Sequence, residues 1–193
     1  MSLEKIKELR AKTGIGMVDA KKALDEADGD IDKAIESLRK LGAIKAAKKG
    51  GRDTNEGLVH AYIHSNGKLG AIVEVACETD FVARNEDFQA LVNDIAMHIA
   101  AADPRYLEKE DVPKEVVAKE EEVGRENLKK EGKSDDIIEK ALPGRINAYY
   151  LENCLLEQKF IKDETKTIQQ LIEESIAKMG ENIKINRFSR FSL

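Results

Sequence analysis

The chain has 193 residues, a formal net charge of −5, 36% charged and 41% hydrophobic residues, no tryptophan and two cysteines. This composition predicts a helix-rich protein with one sizeable domain and a small one, and no apolar run reaches the roughly 20 residues that a membrane-spanning helix needs. The amphipathic start MSLEKIKELR lacks a signal-peptide core, and Cys77 and Cys154 form no CxxC motif, so we expect a cytoplasmic protein without a metal finger.

Charge is distributed unevenly along the chain. Residues 1–52 hold 13 Lys and Arg against 9 Asp and Glu, whereas residues 53–193 hold 19 against 28. A basic head followed by an acidic body predicts two parts with different tasks.

Residues 1–42 show the apolar spacing of three short helices. Ser2 is the predicted cap of the first helix, Asp30 caps the third, and Gly42 is predicted to end it. Three helices of this length are stable only if their apolar faces meet. The arrangement resembles a ubiquitin-associated (UBA-like) module.

The first loop of this module carries two apolar residues, Ile15 and Met17. In UBA-like modules, apolar side chains at this place often face a partner. A hydrophobic staple that closes the loop on its own helix is the alternative. The sequence leaves both interpretations open.

Residues 43–56, with the sequence AIKAAKKGGRDTNE, form a predicted linker. The stretch from Arg39 to Arg52 holds six positive residues and no negative one. Such a basic run could contact RNA phosphates, but no aromatic residue is interleaved for base stacking. A solvated helix end followed by a hinge is therefore the favoured interpretation.

Residues 57–111 predict a β-hairpin, a loop and a helix that form the core. Alternation from Leu58 to Ile63 and the apolar run from Leu69 to Cys77 indicate the two strands. The sequence SNGK between them favours a type I′ turn, because Asn-Gly accepts positive φ.

The sequence CETDFVARN, residues 77–85, connects the second strand to the helix. Thr79 and Asp80 suit a turn because their side-chain oxygens can bond the nearby backbone, which leaves Phe81 at the tip. Asn85 then caps the helix. The helical spacing predicts one wide apolar face, formed by Phe88, Leu91, Val92, Ile95, Ala96 and Ile99. An aromatic side chain on a loop between rigid elements can be presented to a partner, but residue type alone favours a Phe that folds back into its own core.

Residues 112–148 predict a helical hairpin that projects into solvent. A highly charged helix starts after Pro113 and runs to about Lys130, with a thin apolar stripe at heptad spacing. Arms of about 18 residues, about 27 Å long, bury little core, so we expect the hairpin to serve contact. Residues 149–193 complete the core with a helix that ends at Gly180 and with a last strand.

Together these elements predict an α+β fold. It combines the N-terminal three-helix UBA-like module with a small three-stranded antiparallel sheet packed with helices, and with the projecting hairpin.

No catalytic motif is complete. Gly132-Lys133-Ser134 imitates the end of a phosphate-binding loop, but Asn127 stands where that loop needs glycine. His60 and His64 share a strand face, yet nothing nearby completes a zinc site. The sequence therefore predicts no enzyme, no cofactor and no metal.

Six segments of the chain resemble the elongation factor Ts family. In order, they read LRAKTGIGMVDAKKAL, GDIDKAIESLRKLGAIKAAKK, EVACETDFVARN, IAMHIAAADPRYL, KTIQQLIEES and GENIKINRF. In long family members an insertion separates the TDFV and IAMHIAA helices into two core subdomains. Here Asn85 leads directly to Ile95-Ala96-Met97-His98, so the chain resembles the short, dimer-forming members.

The resemblance implies a guanine-nucleotide exchange factor for elongation factor Tu, without covalent chemistry. The residues implied to enter its G domain, disrupt the Mg²⁺ and phosphate site, release GDP and allow GTP to rebind are Asp80, Phe81, Val82 and Ala83. The residues implied to dock the N-terminal module are Arg10, Ile15, Met17 and Val18. The implied partners are GDP-bound and nucleotide-free elongation factor Tu and a second copy of the chain, with no membrane or direct nucleic-acid contact expected.

Two other classes of function remain open. A UBA-like adaptor explains residues 2–41 but not the TDFV loop. An RNA-binding translation factor would use Lys45, Lys48, Lys49 and Arg52, and it predicts a steep salt dependence of binding.

Overall fold

The computed structural model describes residues 3–193, so the predicted cap at Ser2 lies outside the described residues. In chain order, the helices and strands are α1 (Leu3–Thr13), α2 (Met17–Glu26), α3 (Ile31–Lys49), β1 (Glu56–Ile63), β2 (Leu69–Cys77), α4 (Asp80–Ala83), α5 (Glu86–Ala102), α6 (Lys114–Lys130), α7 (Asp135–Asn153), β3 (Lys159–Phe160), β4 (Asp163–Thr167), α8 (Ile168–Met179) and β5 (Ile183–Ser192). Two short 3₁₀ helices lie at Lys109–Asp111 and Leu155–Glu157.

A three-stranded antiparallel sheet has the strand order β1-β2-β5, and β3 pairs antiparallel with β4. The predicted last strand therefore joins the hairpin beside β2. The predicted α+β class, with N-terminal helices and a three-stranded sheet, is confirmed. No helix within residues 3–193 is both long and apolar enough to span a membrane.

Two compact units make up the chain, and each draws on three segments. The segments of the first unit are Met1–Leu58, Val75–Leu91 and Gln170–Lys184. The segments of the second unit are Val59–Glu74, Val92–Gln169 and Ile185–Leu193. The domain boundaries that the sequence suggests, at residues 42, 56, 111 and 148, stay predictions.

Helices α1, α2 and α3 enclose a small apolar core within the first unit. The Asp30 side chain caps α3 as predicted, because its carboxylate accepts the N–H groups of Asp32 at 3.0 Å and of Lys33 at 3.1 Å. The buried residues of this core are Ile6, Leu9, Ala20, Ala23, Leu24 and Ala34.

The predicted end of the third helix at Gly42 is wrong. Helix α3 continues to Lys49, and Gly42 is buried within it. A Cβ built on Gly42 would lie 3.8 Å from the carbonyl oxygen of Glu173 and 3.9 Å from the Cβ of Ala177, both in α8. The glycine therefore serves close helix packing rather than termination, and the first half of the predicted linker is helical.

The predicted type I′ turn between β1 and β2 is also wrong. The N–H of Gly67 donates to the His64 oxygen at 2.8 Å, and Gly67 has φ +67°. Asn66 is not among the described residues with positive φ, whereas a type I′ turn needs it at both central positions. Instead, the Asn66 side chain accepts the Lys68 N–H at 2.9 Å, so its amide group stabilises a longer connection.

Helix α5 has the cap and the apolar face that the sequence predicts. The Asn85 side chain accepts the N–H of Asp87 at 2.8 Å, which satisfies one of the donors that a helix start leaves unpaired. The helix ends before Asp103, whose φ is +52°. Its buried apolar residues are Phe88, Leu91, Val92, Ile95, Ala96, Ile99 and Ala100.

Helices α6 and α7 form the predicted helical hairpin within the second unit. Leu128, Ile138 and Leu142 make a small buried cluster between them. A Cβ built on Gly124 would lie 3.2 Å from Cδ2 of Leu142, so the two arms approach closely at this point. The small size of this cluster agrees with a hairpin that buries little core.

His98 is a structural residue of the second unit and is fully buried. Its Nδ1 accepts the Ile161 N–H at 3.3 Å, so its Nε2 donates to Gln158 Oε1 at 3.0 Å. Burial lowers the pKa of this imidazole, which keeps the ring neutral.

Candidate functional site

The TDFV segment, which the sequence predicts as a turn, is one turn of α-helix. Thr79 is the N-cap of α4, with extended backbone at φ −130° and ψ 156°. Its Oγ1 accepts the Val82 N–H at 3.4 Å. A capped single turn fixes the backbone between β2 and α5 more tightly than an open loop does.

Phe81 extends from this turn into solvent, with 82% of its surface exposed. The alternative that it folds into its own core is therefore wrong. Asp80 and Val82 beside it are half-buried, and Ala83 is buried under the turn. An exposed ring on an anchored turn can enter an apolar recess of another molecule without unfolding its own scaffold.

Asp80 carries the negative charge next to this ring. Its Oδ2 lies 3.1 Å from NH2 of Arg84, one helical turn further on. Because both side chains are substantially exposed, this ion pair contributes little stability and leaves the carboxylate accessible.

The carboxylates of Glu181 and Glu78 accept hydrogen bonds at the N-terminal side of the turn. Glu181 accepts two hydrogen bonds from Thr79: the N–H at 3.0 Å and the hydroxyl at 2.6 Å. Glu78 accepts the Asn182 N–H at 2.6 Å and forms an ion pair with Arg52 at 3.3 Å. The Asn182 hydrogen bond, more than the Arg52 charge, holds the pKa of Glu78 below its usual value.

The Cys77 thiol lies under the turn, fully buried, and donates to the Thr79 carbonyl oxygen at 3.2 Å. Burial, with the Glu181 carboxylate nearby, raises the pKa of Cys77 from its ordinary 9.0 to about 11. Burial, followed by the Glu157 charge, raises the pKa of Cys154 to about 11 as well. Both cysteines are free thiols.

These thiols should resist alkylation in the folded protein. A pKa raised from 9.0 to about 11 lowers the thiolate fraction near pH 8 about 100-fold, and burial slows access further. We expect iodoacetamide to label Cys77 and Cys154 at least about 100-fold more slowly than in denaturant at pH 8, as read by mass spectrometry. Labelling should still accelerate between pH 9 and pH 10. Fast labelling of either folded thiol would contradict this assignment.

The predicted docking residues of the N-terminal module separate into two groups. Met17 is 53% exposed and Val18 81% exposed, so both are available to a partner. Ile15 is half-buried and packs on the core of α1, α2 and α3, as a staple would. The exposed Arg10 donates from Nε to the Ile15 carbonyl oxygen at 3.3 Å and so supports this loop.

A cavity of about 430 Å³ opens beside the same loop within the first unit. Its apolar lining comes from Ile15, Ala23, Ile35, Leu38, Leu41 and Ala177. Lys22, Lys45 and Lys178 add positive charge at this cavity, and Asp19, Glu26 and Glu174 add negative charge. Of the apolar residues in the first loop, Ile15 therefore lines this recess, and the exposed Leu41 lines it from α3.

Two of the four cations considered for RNA binding are engaged within the first unit. The Lys49 ammonium donates to the Gly180 carbonyl oxygen, and Arg52 pairs with Glu78. Lys45 and Lys48 are exposed. Within residues 3–193, no group of three or more His, Cys, Asp or Glu side chains is placed to hold a metal ion.

One part of the sheet within the second unit exposes apolar side chains. Ile63 of β1 and Ile72 of β2 line a shallow groove together with Phe191 of β5. All three side chains are exposed, as is Val59 further along β1. An exposed apolar patch of this kind marks an interaction surface.

Comparison with known proteins gives one consistent family. The family model described as Elongation factor TS matches residues 3–193. The chain is 55% identical to Elongation factor Ts of Thermosipho melanesiensis, over all of this chain and 98% of that protein, and 54% identical to that of Fervidobacterium nodosum with the same coverage. It is 55% identical to Elongation factor Ts of Moorella thermoacetica, over 97% of this chain and 93% of that protein.

Proposed function

Because the chain belongs to the elongation factor Ts family, we propose that it is a guanine-nucleotide exchange factor for elongation factor Tu in the cytoplasm. It binds the GDP-bound form, promotes GDP release without a covalent step and leaves a nucleotide-free complex to which GTP binds. The observation that carries this proposal is the exposed Phe81 ring on a capped turn, beside the Asp80 carboxylate.

GDP release is driven by the difference between the free energies with which the factor binds the nucleotide-free and the GDP-bound forms of elongation factor Tu. A factor that binds nucleotide-free elongation factor Tu more tightly than the GDP-bound form must weaken GDP binding by the same ratio. The Phe81 ring supplies that difference if it enters the G domain only when the elements behind the Mg²⁺ and phosphate site move apart. Asp80 places a negative charge beside the ring, and Val82 places an apolar side chain there. Ala83 is buried and anchors the turn.

The single helical turn α4, Asp80–Ala83, with its cap Thr79, is the exchange turn of this proposal. Docking by the N-terminal module keeps the exchange turn in register with the G domain. The exposed Met17 and Val18 side chains make the apolar contact, Ile15 supports their loop from inside, and Arg10 braces it through the Ile15 carbonyl oxygen. A docking contact separate from the exchange turn predicts that affinity and maximal exchange rate can be changed independently.

The direct test is the release rate of fluorescent GDP from elongation factor Tu as the concentration of the protein is increased. We expect the rate to rise by orders of magnitude and to saturate. An unchanged rate would overturn the exchange function and favour an adaptor. Steep weakening of RNA binding with salt, without effect on GDP, would favour the RNA-binding class.

We also propose that the chain forms a homodimer through the exposed apolar part of the sheet, which contains Val59, Ile63, Ile72 and Phe191. The resemblance to the short family members suggests a second copy, and a sheet face with apolar side chains on neighbouring strands can pair with an identical face about a two-fold axis. In this dimer, the apolar side chains that are exposed in the single chain become buried between the two copies.

The substitution Ile63→Glu should dissociate this dimer. We expect light scattering to give twice 21.5 kDa for the natural protein and 21.5 kDa for the variant, because a carboxylate at the centre of an apolar interface loses its hydration. Val123→Glu places the same charge on an exposed apolar position of α6 and should leave the mass at the dimer value. Equal masses for the natural protein and Ile63→Glu would exclude this face.

A further inference from the structure

Two dipeptides of the first unit, Glu78-Thr79 and Glu181-Asn182, lie 102 or more positions apart in the chain. Two hydrogen bonds that run in opposite directions join them. The Thr79 N–H donates to Glu181 Oε2 at 3.0 Å, and the Asn182 N–H donates to Glu78 Oε1 at 2.6 Å. Each dipeptide thus supplies one carboxylate and one backbone donor. Hydrogen bonds to a carboxylate are the stronger kind, so two of them in opposite directions fix the distance between the segments.

Both dipeptides also contact Arg52, which lies in the predicted linker before β1. Asn182 is only 1% exposed, and its side-chain amide donates to the Arg52 carbonyl oxygen at 2.9 Å. The guanidinium of Arg52 pairs in turn with Glu78. The Glu181-Asn182 segment after α8 is therefore fixed by the chain that leads into β1. It provides a fixed support for the exchange turn and does not move with it.

Glu181 acts on the residue that starts the exchange turn. The Thr79 hydroxyl donates to Glu181 Oε1 at 2.6 Å and accepts the Val82 N–H at 3.4 Å. Since the hydroxyl proton is committed to Glu181, the oxygen lone pairs face α4, and the cap is oriented. Phe81 lies two residues further on and is 82% exposed, so its own side chain contributes little to fixing its direction.

We propose that Glu181 is a positioning residue for Phe81, holding the Thr79 cap so that the ring is presented in a single orientation. This inference rests on the proposed exchange function. A ring that is free to move must be ordered during binding, and that ordering subtracts from the free energy available to displace GDP. Glu181 orders the turn before the partner arrives.

The test compares the maximal rate of fluorescent GDP release with the factor concentration that gives half of it. We expect Glu181→Ala and Thr79→Val to lower the maximal rate about tenfold and to change the half-saturating concentration less than about twofold, because docking by the N-terminal module is intact. Thr79→Ser keeps the hydroxyl and should behave like the natural protein. Glu164→Gln, an exposed acidic position on β4, is the matched control and should change neither quantity.

The double variant Glu181→Ala/Thr79→Val tests whether the two residues act on exchange through the same interaction. If the two residues act through one bond pair, the double variant should be no slower than the slower single variant. Additive losses would overturn the proposal, and so would a natural maximal rate for Glu181→Ala. A change in half-saturation alone would assign Glu181 to docking instead.

Hydrogen exchange of the free protein gives a readout that does not depend on elongation factor Tu. The Val82 amide should exchange faster in Glu181→Ala and in Thr79→Val than in Thr79→Ser, at temperatures where circular dichroism shows all variants folded. If the natural protein fails to release GDP while Val82 responds in this way, the exchange function falls and the ordering of the turn stands. If Val82 protection is the same in all variants, the positioning role itself is overturned.

Discussion

Replacing Phe81 with alanine is expected to remove most of the exchange activity and to leave the folded protein intact. The ring is 82% exposed, so its truncation removes almost no buried apolar surface from the chain. At an interface, aromatic anchors of this kind contribute about 2–4 kcal/mol, and each ~1.4 kcal/mol corresponds to tenfold in affinity. We therefore expect GDP release to slow by roughly one and a half to three orders of magnitude at saturating factor, with the urea midpoint unchanged.

Three further variants give this experiment its controls. Phe81→Leu keeps an apolar side chain and should retain part of the activity. Val123→Ala shortens an exposed apolar side chain on α6 and should change nothing. Phe88→Ala truncates a fully buried ring seven residues further on, so it should cost about 3–5 kcal/mol of stability. Equal release by the natural protein and Phe81→Ala would mean that another residue provides the exchange contact.

Gly57→Ala should destabilise the protein more than any surface substitution. Gly57 lies in β1 with φ +148°, a conformation that side chains rarely adopt. A Cβ there would lie 2.2 Å from the Val75 carbonyl oxygen and 2.7 Å from the Ala76 Cα. These are backbone atoms and cannot rotate away, so either β1 or β2 must shift. We expect a loss of about 3 kcal/mol or more in urea unfolding, or failure to fold.

Gly51→Ala is the matched control for this prediction. It lies six residues earlier, and a Cβ built there meets no heavy atom within 4 Å. Its free energy of unfolding should change by less than about 0.5 kcal/mol. Because Val75 leads directly to Cys77 and the exchange turn, a folded Gly57→Ala protein should also exchange GDP more slowly. A natural urea midpoint for Gly57→Ala would show that β1 can shift away from Val75 without cost.

Local signals in the sequence predict most element starts and the faces of the helices. Asp30 and Asn85 cap their helices as expected, because a cap is a contact between residues two or three positions apart. The helical spacing of apolar residues likewise predicts the buried face of α5. The sequence also predicts that Phe81 lies at the tip of the connection between β2 and α5.

The remaining features depend on contacts between distant parts of the chain. Gly42 looks like a helix end, and only its closeness to Glu173 and Ala177 explains why α3 continues. Glu181 gave no signal as a residue of the exchange turn, because its partner Thr79 lies 102 positions away. Neighbouring residues cannot reveal such a pairing.

The unit that presents Phe81 is closed by chain that arrives late in the sequence. Lys49 and Gly180 are 131 positions apart, and the whole of Val92–Gln169 lies between the last two segments of the first unit. Contacts across such long loops form slowly, because the entropy of closing the loop is lost before they stabilise anything. A chain cut short before Gln170 would carry the TDFV sequence without Glu181 and without the α8 face that receives Gly42. Unfinished copies of the protein should therefore lack the hydrogen bonds from Thr79 to Glu181 and present a less ordered Phe81.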